Sequence, residues 1–92
     1  MTNYEVLLSR TARRQMADLP PEIRDRVKEK LKELKNSPYK AGPKMDIKKL
    51  KGPKRFYYRI RIGDHRTIYV IDGNRVLVAK ILPRDKAYDW ID

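Results

Sequence analysis

Cysteine is absent from this chain, so neither a disulfide framework nor a thiolate metal site is available, and a reducing compartment fits. Histidine occurs once, at position 65, which excludes any mechanism that needs two imidazoles. No apolar run approaches the ~18 residues that span a bilayer, and the start of the chain lacks a signal-peptide pattern. A soluble, cytoplasmic protein is the expectation. Acidic side chains are scarce as well: 12 Asp and Glu stand against 23 Lys and Arg, for a net charge of +11. Such an excess attracts polyanions, of which nucleic acid is the commonest. A membrane surface is the poorer match, because no amphipathic helix combines these charges with a broad apolar face.

What is present is concentrated. Residues 40–66 hold ten basic side chains (Lys40, Lys44, Lys48, Lys49, Lys51, Lys54, Arg55, Arg59, Arg61 and Arg66) and two acidic ones, Asp46 and Asp64. Most of the excess charge therefore belongs to one loop and one hairpin. A chain of 92 residues is expected to be one domain, spanning 1–92, that buries ~60% of its unfolded surface around a single core.

Tyr4 to Leu8 reads as a short strand that runs into a helix at Ser9, a good N-cap. Ala12, Met16 and Leu19 form a narrow helical stripe, leaving Arg10, Arg13, Arg14 and Asp18 to solvent. Pro20-Pro21 ends that helix and starts another, with Ile23, Val27, Leu31 and Leu34 as its apolar face and Asn36-Ser37-Pro38 as its end. The two helices are expected to form an antiparallel hairpin. Residues 37–53, with Pro38, Gly42, Pro43, Gly52 and Pro53 among lysines, read as a loop.

From 54 to 69 charge and hydrophobicity alternate at period two around Gly63-Asp64. Phe56, Tyr58, Ile60 and Ile62 point one way, and Tyr57, Arg59 and Arg61 the other. A tight turn at Gly63-Asp64 sets Arg61 across from Arg66. Like charges placed opposite each other are destabilising, so the cluster points to an anionic ligand. Asp72-Gly73-Asn74 is a second turn signal, followed by a strand over 75–82 on which Leu77, Ala79 and Ile81 are expected to share the arginine face. The fold class is α+β, in the order β-α-α-β-β-β: an N-terminal strand, an antiparallel helix hairpin, a three-stranded antiparallel meander and a short C-terminal segment. In this arrangement Arg61, Arg66 and Arg84 converge at one sheet edge, with Arg59 one step further in.

Three strings carry a resemblance: Lys49-Leu50-Lys51-Gly52-Pro53, then Tyr58-Arg59-Ile60-Arg61-Ile62-Gly63-Asp64-His65-Arg66-Thr67-Ile68-Tyr69, then Leu82-Pro83-Arg84-Asp85-Lys86-Ala87-Tyr88. In this order they resemble the RelE/ParE toxin superfamily, above all its RelE branch with archaeal members that share a Pro-Arg-x-x-Ala-Tyr ending. The resemblance implies a toxin of a type II toxin-antitoxin pair, an endoribonuclease that enters the ribosome and cuts translated mRNA and is silenced by a RelB-like antitoxin. It implies no cofactor. By position, Arg59 and Arg61 match the family's basic strand residues, Arg66 the arginine after its turn, Arg84 and Tyr88 its C-terminal arginine and tyrosine.

On that basis the catalytic candidates are Arg61, Arg66, Arg84 and Tyr88, and the RNA-binding candidates Arg59, Lys48, Lys49, Lys51 and Lys54. Metal-independent cleavage by the 2′-OH needs charge stabilisation at phosphorus, which forked N–H donors supply. It also needs proton transfer. Some members carry lysine at the strand positions, whereas arginine stays charged and cannot act as a base. Tyr88 either stacks on a base and orients it or takes the proton. His65 reads as an ordinary turn-adjacent residue and stays outside the site. Tyr4, Tyr39, Tyr57, Tyr58 and Tyr69 read as packing residues, and the helix arginines as a solvated face. The arginines also allow internal pairs with Asp64 and Asp85. The rival readings are a ParE-like gyrase poison on the same fold and a noncatalytic nucleic-acid-binding module.

Overall fold

The structure is a computed structural model that describes residues 3–39 and 45–83. Two helices cover one face of a five-stranded sheet. In chain order the elements are β1 (Glu5–Leu8), α1 (Arg10–Asp18), α2 (Pro21–Leu34), β2 (Asp46–Lys51), β3 (Phe56–Ile62), β4 (His65–Asp72) and β5 (Arg75–Pro83). The strands lie in the order β1-β5-β4-β3-β2, with β1 parallel to β5 and every other pair antiparallel. The α+β class, the N-terminal strand, the helix pair and the meander are as the sequence predicts. Among the described residues no helix is long and apolar enough to cross a membrane.

Ser9 caps α1: its Oγ accepts from the Ala12 amide at 3.0 Å and donates to the Ala79 carbonyl at 2.7 Å. One hydroxyl thus starts a helix and ties it to β5. Pro20-Pro21 separates the helices, and Arg24 of α2 closes the end of α1 by donating to the carbonyls of Met16, Ala17 and Leu19. Arg24 is therefore an exception to the solvated arginine face, since its guanidinium satisfies the orphan carbonyls of a helix end. Ala12, Leu19, Val27, Leu31 and Leu34 from the helices meet Ile60, Ile62, Tyr69, Val76, Val78 and Ile81 from the sheet in one core.

Two departures from the sequence reading matter for the site. Residues 46–51, expected within a loop, form β2, paired with β3 from Asp46 opposite Arg61 to Lys51 opposite Phe56. Ile47 and Leu50, three residues apart, fall on opposite faces, against Ile60 and Tyr57, so the strand lacks a one-sided apolar alternation. Its lysines suit a sheet edge, where charge discourages further pairing. The second departure is in β5. Ile68 pairs with Lys80 but Tyr69 with Val78, leaving Ala79 as the extra residue of a β-bulge. One inserted residue reverses the alternation beyond it. Ile81 consequently faces the core at 2% exposure rather than the arginine face, which receives Leu82, the partner of Arg66.

The β3–β4 and β4–β5 turns are each two residues long, and in each the first is a glycine at positive φ, Gly63 at 59° and Gly73 at 60°. That is the conformation in which the turn's twist matches the strands it joins and which side chains resist. Between β2 and β3, Gly52 donates its amide to the Arg55 carbonyl, and a Cβ there would run into the Tyr57 ring.

Candidate nucleic-acid interface

The hairpin register places Arg61 opposite Arg66, and alternation along β3 places Arg59 on the same side. Lys48 joins them from β2, opposite Arg59. These four basic residues share the sheet face turned away from the helices. Cross-strand partners have Cα atoms roughly 5 Å apart, close enough for two guanidiniums to serve one phosphate.

The three arginines are held differently. Arg59, 9% exposed, donates from Nη1 to the Asp46 carboxylate at 3.0 Å and to the Asp46 carbonyl at 3.2 Å. Its Nε is buried without a hydrogen-bond partner. Arg66, 7% exposed, turns back on its own hairpin and donates to the carbonyls of His65 at 3.2 Å and Gly63 at 3.4 Å. Arg61 is exposed. One guanidinium therefore carries a carboxylate, one clamps a turn, and one reaches solvent from between them. Asp46 is the acid that pairs with Arg59; Asp64, expected as a partner, is an exposed turn residue, and the expected pair with Asp85 lies outside the described residues. Sequence reasoning missed Asp46 because it missed the strand.

The lysine candidates divide between the two faces. Lys48 lies on the arginine face, Lys49 and Lys51 on the other, opposite Tyr58 and Phe56, and Lys54 in the turn that follows β2. Arg84 and Tyr88 lie outside the described residues. β5 ends at Pro83, paired with His65. His65 pairs with Ile62 and so stands on the helix side, with Nδ1 buried and without a hydrogen-bond partner. It does not share a face with the arginines.

Of the tyrosines, Tyr69 is fully buried and donates its hydroxyl to the Pro38 carbonyl at 2.7 Å. Burial pushes its phenol far above the ordinary value near 10; Tyr58 adds to the rise and Arg59 opposes it. Tyr69 stays neutral and offers no base. Further along the arginine face, towards β1, Leu7, Tyr57, Val70 and Leu77 line a groove of about 420 Å³, with Leu7 41% exposed. Among the described residues no cluster of three His, Cys, Asp or Glu side chains stands ready for a metal ion. The chemistry available on this face is charge stabilisation and binding of a phosphate by forked N–H donors.

The family model described as the ParE toxin of type II toxin-antitoxin system, parDE, matches residues 6–88. Toxin RelE3 of Methanocaldococcus jannaschii is 35% identical over 86 residues, covering 94% of this chain and 97% of that protein. The putative toxin RelE1 of the same organism is 36% identical over 87 residues, with 92% and 94% covered. Among solved structures, the archaeal RelE-RelB complex from Pyrococcus horikoshii OT3 aligns at a TM-score of 0.79 and 28% identity, over 94% of this chain and 100% of that one. The RelB-RelE antitoxin-toxin complex from Methanococcus jannaschii aligns at 0.73 and 32% identity, over 94% and 99%. Matched along nearly its whole length in sequence and in fold, the chain belongs to the RelE/ParE superfamily as an archaeal-type RelE toxin of a type II toxin-antitoxin system.

Proposed function

We propose that this toxin is a ribosome-dependent endoribonuclease that cuts translated mRNA. In the reaction the ribose 2′-oxygen attacks the adjacent phosphorus, the bond to the 5′-oxygen breaks, and the products are a 2′,3′-cyclic phosphate and a 5′-hydroxyl. The 2′-OH gives up a proton and the leaving oxygen gains one. The observation that carries this reading is the exposed Arg61 flanked by Arg59 and Arg66 on one face. Negative charge that develops on the nonbridging oxygens during attack meets the exposed Arg61 first, and Arg59 and Arg66 reach it by exchanging their carboxylate and carbonyl acceptors for phosphate oxygens. Arg84 complements them, and Tyr88 orients the nucleotide or takes the proton. Because arginine cannot accept a proton at physiological pH, the acid-base set is thin, and orientation of the message by the ribosome supplies what it lacks.

The partner is a RelB-like antitoxin, by likeness to the RelE-RelB complexes. The apolar groove at Leu7, Tyr57, Val70 and Leu77 beside the cationic face suits an amphipathic acidic segment, which neutralises the arginines as it docks. Cytoplasmic residence follows from a ribosomal substrate.

The test is cleavage of message on programmed ribosomes. Arg61→Ala is expected to lower the cleavage rate ~10²-fold, with urea stability little changed because the side chain is exposed. Full activity in a folded Arg61→Ala protein removes the central donor and the reading with it. A second reading, gyrase poisoning, is favoured by the ParE description of the matching family model. Supercoiled DNA and gyrase in a parallel reaction decide between the two: broken DNA with intact message replaces the ribonuclease by the poison.

A further inference from the structure

Three large apolar side chains stand exposed among the described residues, Leu7, Tyr39 and Phe56. Single exposed hydrophobics are ordinary. Tyr39 and Phe56, however, lie in one groove of about 400 Å³, with Tyr58 and Ile71 inside it and Lys49, Lys54 and Arg55 around it. Tyr39 is 53% exposed and Phe56 52%. We propose that this groove is a stacking site for a nucleobase of single-stranded RNA, distinct from the arginine face.

Its position separates it from the first site. Phe56 and Tyr58 are directed to the helix side, with Lys51 and Lys49 as their cross-strand partners, whereas Arg59 and Arg61 occupy the opposite face. Phe56 is also five residues from Arg61, about 16 Å along an extended strand. A strand of RNA that touches both must cross the β2 edge, where lysines alternate from Lys48 on one face to Lys49 and Lys51 on the other.

The rings are held ready. Tyr39 meets Tyr58 edge-on at 5.7 Å and 82°, and Tyr4 at 6.1 Å and 75°. Tyr58 in turn stacks on Tyr69 at 5.7 Å and 18°, and Tyr69 is anchored to the carbonyl of Pro38, the neighbour of Tyr39. The exposed Tyr39 ring is braced by Tyr4 and Tyr58 within this packed series, so little conformational freedom is lost when a base settles on it. Across the groove, Lys49 Nζ lies 4.1 Å from the centre of the Phe56 ring, which brings a positive charge next to an aromatic surface. Lining cations outnumber acids three to one, the acid being Asp72.

Flat half-exposed rings bordered by cations match an unpaired nucleotide, whose base offers a π-face and whose phosphate offers a charge. Duplex RNA hides its base faces, and an acidic peptide offers the charge without the flat ring. That the nucleic acid is RNA rests on the function proposed above; the groove itself rests on the rings and charges just described.

The experiment is a binding measurement on the full-length protein by fluorescence anisotropy, with a dye-labelled oligoadenylate as probe and a salt series for each variant. Phe56→Ala and Tyr39→Ala are each expected to weaken binding by about tenfold, with the slope of affinity against salt unchanged, because stacking involves no released counterion. Phe56→Tyr keeps the affinity, Phe56→Leu does not restore it, and Lys49→Gln flattens the salt slope by about 0.7. Unchanged affinity in folded Phe56→Ala overturns the inference. So does wild-type binding by Phe56→Leu, or competition by polyglutamate or duplex RNA as effective as by unlabelled oligoadenylate. The two readings fail separately: loss of binding in Phe56→Ala by a protein that leaves message intact sinks the ribonuclease and keeps the groove, whereas cut message with unaltered Phe56→Ala binding does the reverse.

Discussion

Asp46 projects from the edge strand with its side chain 56% exposed, 3.0 Å from an Arg59 whose side chain retains 11%. A guanidinium that far from water needs an acceptor, because an unmatched buried charge is costly. Asp46 supplies it while no anion is bound. The same carboxylate competes with any phosphate that approaches Arg59, so the pair exchanges some affinity for stability. Asp46→Asn keeps the size and one acceptor oxygen while removing the charge. It is expected to lower urea stability by about 1 kcal/mol, less than a fully buried charged hydrogen bond because the acid is half-exposed. Affinity for the oligoadenylate should rise several-fold. A variant that loses stability without gaining affinity assigns Asp46 to structure alone. The arginines themselves could be placed from the sequence, since period two and a Gly-Asp turn determine which of them are neighbours. Asp46 could not, because it lies among prolines, glycines and lysines that read as loop and pairs across a strand boundary that hydrophobic alternation does not mark.

Between elements, the contact that most affects the site is the one from α1 to the β5 bulge. An extra residue in a strand leaves backbone groups out of the ladder. Here Ser9 Oγ donates to the Ala79 carbonyl at 2.7 Å, and Gln15 Oε1 accepts from the Ile81 amide at 2.7 Å. The helix thus satisfies the irregularity that turns Ile81 inward and Leu82 towards Arg66. Gln15→Ala is expected to cost about 1–2 kcal/mol in urea unfolding, because it leaves a part-buried amide unpaired. It should also shift the Leu82 and Arg66 backbone resonances in an amide NMR spectrum. An unperturbed spectrum would mean that the bulge holds its shape without the helix. The helices, the Ser9 cap and the two glycine-turn hairpins were expected from local signals: Ser9, the proline pair and two turn glycines each act within a few residues. The bulge was not, because Ala79 looks like any small strand residue and the contacts that hold the bulge, Ser9 to Ala79 and Gln15 to Ile81, span 70 and 66 positions.

At the scale of the whole molecule, the chain carries a net charge of +11, and the described fold is small, with a radius of gyration of 12.2 Å. The Debye length at ~0.1 M salt is ~10 Å, so most of these charges sense one another at low ionic strength. Lys30 with Glu33 and Arg75 with Glu5 span 3.7 and 3.6 Å, Lys30 half-buried and the other three side chains exposed, and the Asp46–Arg59 pair is shorter. Exposed pairs contribute little, whereas self-repulsion acts on every cation and grows on compaction. Added salt is therefore expected to stabilise the free protein, raising its urea midpoint between low and physiological ionic strength, while the same salt weakens RNA binding in proportion to the phosphates neutralised. A urea midpoint that falls as sodium chloride rises would show that attractive pairs outweigh repulsion. The basic surface would then be a balanced network rather than one kept out of balance for an anionic ligand.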